Sequence, residues 1–170
     1  MKTILYVLCF LFAVATLSTC TVKNIHFKQE CSGHLKRAAD ANSISLAIAE
    51  LEQALQYIES NHITSGYTSV IYKTPDEDVQ FWYTNIKASL TELTNLSTDA
   101  SSFEKSNVLM KLKETLLDNT NEGTSVTRPG GIQRYPNNTL WAILNILQFC
   151  CWCVLAFGLL NTTPFEDMYN

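Results

Sequence analysis

LWAILNILQFCCWCVLAFGLL, residues 140–160, carries no charged side chain. The run is apolar on every face, so as a helix it has no polar side to turn towards water. Its length is roughly the 20 residues that a helix needs to cross the hydrocarbon core of a bilayer. Trp141 stands at one end, where an aromatic ring sits at headgroup level. The run therefore reads as a transmembrane helix, followed by a short polar tail at 161–170 (NTTPFEDMYN). Working back from it, a second uncharged run, TILYVLCFLFAVATLSTCTV at 3–22, lies between Lys2 and Lys23. The 170 residues then divide into an N-terminal signal peptide or anchor at 1–22, a polar domain at 23–127, a turn-rich linker at 128–139, the helix at 140–160 and the tail.

The N-terminal run has three readings. Lys2 before an apolar block suits an uncleaved anchor or a signal peptide. Ala13-Val14-Ala15 is a small-x-small cleavage pattern. Leu17-Ser18-Thr19-Cys20 resembles a lipobox, which makes Cys20 a candidate lipidation site. Each of the three leaves the domain tethered to a membrane. Sidedness pulls two ways: Lys23, Lys28, Lys36 and Arg37 follow the first run, which by the positive-inside rule favours a cytoplasmic domain, but the rule weakens over loops longer than about 60 residues. The N-terminal signal takes precedence. The expectation is a bacterial inner (cytoplasmic) membrane protein with its helical domain exported.

Five of the six cysteines belong to the apolar runs, and Cys31 stands alone in the polar domain. That distribution implies no disulfide framework. The group Cys150, Cys151 and Cys153 reads as small-residue packing inside the membrane, ahead of a metal or palmitoylation site.

Within the domain, a first helix is expected from about Gln29, interrupted at Ala41-Asn42-Ser43. In SLAIAELEQALQYIES, Ile44, Ala47, Ile48, Leu51, Leu55 and Ile58 fall at helical spacing, with Glu50, Glu52, Gln53, Gln56 and Glu59 read as an acidic outer face. HITSGYTSVIYK and GTSVT favour extended chain, and the two segments have the composition to pair as a minor sheet. Thr74-Pro75-Asp76-Glu77 reads as a capping box with proline at the first helical position. It opens a helix whose stripe is Val79, Trp82, Tyr83, Ile86, Leu90 and Leu93, with Phe81 pointing away as a contact surface. A second capping box, Ser101-Ser102-Phe103-Glu104, opens a helix with Leu109, Leu112 and Leu116 on one face and Phe103, Met110 and Leu117 beside them. The fold expected is mainly α, a bundle of three to four helices with a minor two-stranded β element, between the two apolar runs.

LKRAADAN, GYTSVIYKTPDEDVQFWY, EKSNVLMKLKETLLD and YPNN, in that order, resemble a group of small bacterial membrane-anchored helical proteins. The resemblance covers roughly Cys31 to Leu140. It implies a helical exported domain between apolar ends and brings no activity with it.

Chemical groupings are sparse. His26, Glu30 and His34 are spaced i, i+4, i+8, so a continuous helix would put them on one face with Cys31 adjacent, a weak zinc or copper pattern. The Asp76-Glu77-Asp78 cluster is accounted for by its place at a helix start, where the helix dipole favours anions. A glycosidase pair would need two carboxyls held across a cleft that nothing else in the chain supplies. No nucleophile elbow or phosphate loop occurs. A net charge of -4 argues against nucleic acid.

In the C-terminal helix, Trp141, Asn145, Gln148 and Trp152 fall at i, i+4, i+7 and i+11, a stripe suited to self-association or to packing on the first run. The expectation is a non-enzymatic, membrane-tethered interaction, scaffold or accessory-subunit protein. Its partners would be membrane lipid and a second copy or another membrane protein, and no cofactor is expected. The alternatives are a ligand-sensing domain working through a separate signalling partner, and a metal-binding domain.

Overall fold

The computed structural model describes residues 2–97, 99–120 and 123–160; the tail expected at 161–170 lies outside them. Charge enters the first helix without ending it. Helix α1 (Lys2–Phe27) runs through Lys23, passes a π turn at Lys28–Ser32 and continues as α2 (Gly33–Ala39). The helix expected to begin at Gln29 thus has no separate start, because neither proline nor glycine interrupts residues 2–28. The π turn closes with the Gly33 N–H donating to the Lys28 carbonyl. A Cβ at Gly33 would stand 2.9 Å from that same oxygen, so glycine permits the wide turn.

After the break at 40–43, Ser43 caps α3 (Ile44–Ser60), its hydroxyl accepting from the Leu46 N–H. The far end closes differently. His62 takes the left-handed conformation (φ 57°), and the Ile63 and His62 N–H groups donate to the Ile58 and Glu59 carbonyls. This is a Schellman motif with histidine where glycine is usual, and Ile58 and Ile63 are both buried beside it.

Helix α4 (Val79–Thr94) starts later than its sequence suggests. Pro75–Glu77 form one 3-10 turn, and Thr74 hydrogen-bonds the Glu77 carboxylate but caps no backbone. The cap is Asp78, whose Oδ1 accepts from the Gln80 and Phe81 N–H groups at 2.9 and 3.1 Å. The Ser101 capping box is present as expected and opens α5 (Ser102–Leu116).

Leu117 then leaves the helix. It begins β1 (Leu117–Thr120), antiparallel to β2 (Gly123–Val126) with Leu117 opposite Val126 and Thr120 opposite Gly123. The minor sheet therefore exists, but the partner of the GTSVT segment is LDNT. The other extended segment reaches only a single bridge, Tyr67 to Asp78. The last helix, α6, spans Asn138–Leu160.

Two compact units result: Asn24–Asn138, and the two apolar helices. The core of the first is built where α2, α3, α4 and α5 meet, from Leu35, Leu51, Ile58, Val79, Ile86 and Leu116. Full burial of each such side chain contributes about 1.5–3 kcal/mol relative to exposure. Ala38, Ala39, Ala47 and Ala54 are buried between them and let α2 and α3 approach closely. The expected stripe of α4 is buried at Val79, Trp82, Ile86 and Leu93, whereas Phe103 and Met110 of α5 are exposed. Of the segment 128–139 expected as a linker, residues 128–138 are packed into the domain. Ile132 is fully buried, the Tyr135 hydroxyl donates to the Ser65 carbonyl, and Asn138 Nδ2 donates to the Thr68 carbonyl at 2.5 Å.

Candidate functional site

Two helices are long and apolar enough to cross a membrane, one in the N-terminal and one in the C-terminal region. They pair antiparallel. Thr16 Oγ1 donates to Gln148 Oε1 at 2.7 Å, and Lys23 lies 5.5 Å from the Trp141 ring. Tyr6 lies against Gly158, where any Cβ would collide with its ring. Cys9, Thr16 and Lys23 recur every seven residues, the period that keeps one face on a neighbouring helix. Ala13, at 1% exposure, fills the seam between them.

The stripe on α6 is therefore divided. Trp141 is buried and Gln148 half-buried against α1, while Asn145 and Trp152, on the same stripe, are exposed. The Asn145 amide has no side-chain hydrogen bond among the described residues. Of the other cysteines, Cys150 and Cys153 are exposed and Cys20 is half-buried within α1.

In the Asn24–Asn138 unit the candidate metal residues separate. The π turn adds a residue to the helix and rotates the side chains beyond it by about 100°, so the i, i+4, i+8 spacing no longer defines one face. His26 stacks on Tyr57, with ring centroids 5.8 Å apart. His34 turns instead to Glu50, Nδ1 to Oε2 at 2.7 Å, and the other Glu50 oxygen pairs with Arg37 at 2.5 Å. Among the described residues no three His, Cys, Asp or Glu side chains come together as a metal would require.

Glu50 is 6% exposed and belongs to the buried face, contrary to its expected place on a solvated acidic surface. Two signals for this were present: Glu50 lies three residues after Ala47 and four before Ala54, and His34 and Arg37 are one turn apart on the preceding helix. Cys31, fully buried next to the π turn, has its thiol pushed up to about 12 by burial, opposed by the Arg128 charge.

A cleft of about 230 Å³ opens at the start of α4 and is walled by Phe81, Trp82, Asp76, Asp78, Asp118 and Arg128. Trp82 is fixed by its indole N–H donating to the Thr127 carbonyl at 2.9 Å. Arg128 lies over the Phe27 ring at 5.6 Å and donates to the Ser32 hydroxyl at 3.3 Å. Asp78 holds the helix N-terminus through Oδ1. Apolar walls with one cation and several carboxylates suit a small amphipathic molecule carrying an amine. The arrangement offers no nucleophile paired with a base. Sequence reading found the aromatic wall and the acidic residues of α4, and missed Asp118 and Arg128, which only the hairpin brings alongside.

No family model, curated protein or solved structure matches the chain.

Proposed function

We propose that this protein is a membrane-tethered interaction module, a non-catalytic accessory subunit that self-associates through the outer face of α6. The observation that carries the proposal is Asn145, a polar amide exposed among the apolar side chains of Ile146, Leu147 and Phe149. In hydrocarbon such an amide gains from a partner on a second helix, by about 0.6–2 kcal/mol. Trp152 lies two turns further along the same face and supplies contact area. The antiparallel helix pair supports a topology with both chain ends on one side and the domain on the other. With Lys2 ahead of the first run, the domain is exported, and a bacterial inner membrane suits this arrangement.

The cleft beside Trp82 favours a second reading, a domain that binds a small amine-bearing ligand and signals through a partner. Native mass spectrometry of the full chain, extracted gently from its own membranes, separates the two. Self-association predicts a dimer mass that shifts to monomer in Asn145→Leu and persists in Gln148→Leu, whose amide is engaged within the chain. A dimer indifferent to Asn145→Leu refutes the proposal. A monomer retaining a small molecule, lost in Phe81→Ala, puts ligand binding first.

A further inference from the structure

We propose that the loop Val70-Ile71-Tyr72 inserts into the interfacial layer of the membrane that holds α6, giving the domain a membrane contact besides its two helices. The inference rests on the membrane reading above. Ile71 is 82% and Tyr72 77% exposed, and Val70 is exposed beside them. Three consecutive exposed apolar residues are a fault in a water-bathed loop unless something covers them.

The place where the loop is tied indicates the cover. Its base is bonded to the residues that lead into the C-terminal apolar helix. The Tyr135 hydroxyl donates to the Ser65 carbonyl, and Asn138, the first residue of α6, donates to the Thr68 carbonyl. Thr68 is itself buried, so the base is held firmly. Ile71 lies three residues beyond it, a reach of up to about 10 Å. The headgroup layer is about 5–8 Å thick on each side of the hydrocarbon core, and the apolar run begins at Leu140, two residues after Asn138. A loop tied to Asn138 is thus within chain reach of the layer that the apolar run enters at Leu140. Its chemistry also fits: two β-branched aliphatics and a tyrosine enter the acyl boundary, while Lys73, 5.6 Å from the Tyr67 ring, remains among lipid phosphates.

The test uses tryptophan emission from the full chain in nanodiscs whose lipids carry bromine near the top of the acyl chain. In the wild type, Trp141 and Trp152 report on α6 above the emission of the third tryptophan, Trp82 in the domain; if bromine quenches none of the emission, the membrane reading itself fails. Given that quenching, Ile71→Trp should add emission that is more than halved by brominated lipid and is shielded from aqueous iodide. Phe103→Trp is the control. Its site is 74% exposed but follows the far end of the 16-residue α4, about 24 Å of helix from the Gly66 carbonyl that accepts from the Val79 N–H. Its added emission should respond to iodide and ignore bromine. Added emission from Ile71→Trp that ignores bromine while the wild type is quenched overturns the proposal. If it is also shielded from iodide, a protein partner covers the loop instead of lipid.

Discussion

Glu50 shows how a charge is held inside a small bundle. One carboxylate accepts from two side chains of the preceding helix, so neither oxygen is left without a partner. Arg37 is largely exposed and His34 a quarter exposed, which leaves both partners partly hydrated and limits the cost of burying the carboxylate. Removal of the carboxylate in Glu50→Ala should cost about 2 kcal/mol, the scale of hydrogen bonds to a charged group. Thermal unfolding of the variant, with Arg37→Ala and the double variant completing a cycle, checks both the loss and its source. The acid cluster at the start of α4 teaches a related lesson. Threonine followed by proline predicts a cap four residues too early, because the Thr74 hydroxyl is taken by Glu77 and the helix begins where Asp78 reaches two backbone N–H groups.

Among the elements, the α1–α6 pair depends on few polar contacts. Thr16 Oγ1 also lies 3.1 and 3.0 Å from the Phe12 and Ala13 carbonyls of its own helix, which compete with the nearer Gln148 oxygen, at 2.7 Å, for the one hydroxyl proton. Thr16→Val keeps the shape, removes the donor and leaves the Gln148 oxygen without it. The pair should weaken by about 1 kcal/mol, within the range for such bonds in membranes, seen as a lower sodium dodecyl sulfate fraction at the unfolding midpoint. The helix α5 illustrates the limit of periodicity. Leu117 falls seven residues after Met110, on the flank beside Leu109, Leu112 and Leu116, yet it is buried as the first residue of a strand. Its helical companions Phe103 and Met110 are exposed, and it is the strand, where Leu117 pairs with Val126, that buries it.

For the whole molecule, every residue of the main core lies between Phe27 and Ile132. That makes stability a property of the domain, and Cys31 gives it a pH signature. Its thiol ionises near 9.0 when unfolded and near 12 when folded, because burial disfavours the thiolate. Above about pH 9 the unfolded chain therefore binds fewer protons than the native one, and the stability of the fold falls as pH rises towards 12. Thermal midpoints of the full chain measured from pH 8 to 11 should decline more steeply than those of Cys31→Ala, in which this ionisation is absent. Equal slopes would show that Cys31 does not carry the effect.

The two apolar helices, the α3 and α4 stripes, the Ser101 cap and the mainly helical class were all legible in the amino-acid order. Each depends on local spacing or on a side chain bonding its own backbone, and such physics acts within a few residues. Features that depend on distant partners emerged only with the folded chain. Glu50 became interior because α2 offers His34 and Arg37. Trp141 and Gln148 turned to α1 while Asn145 turned outward, and Arg128 reached the cleft because residues 128–138 pack into the domain. The metal spacing of His26, Glu30 and His34 dissolved for a reason intermediate between the two. One glycine admits one extra residue into a helix turn, and from there onward every side chain faces a different neighbour.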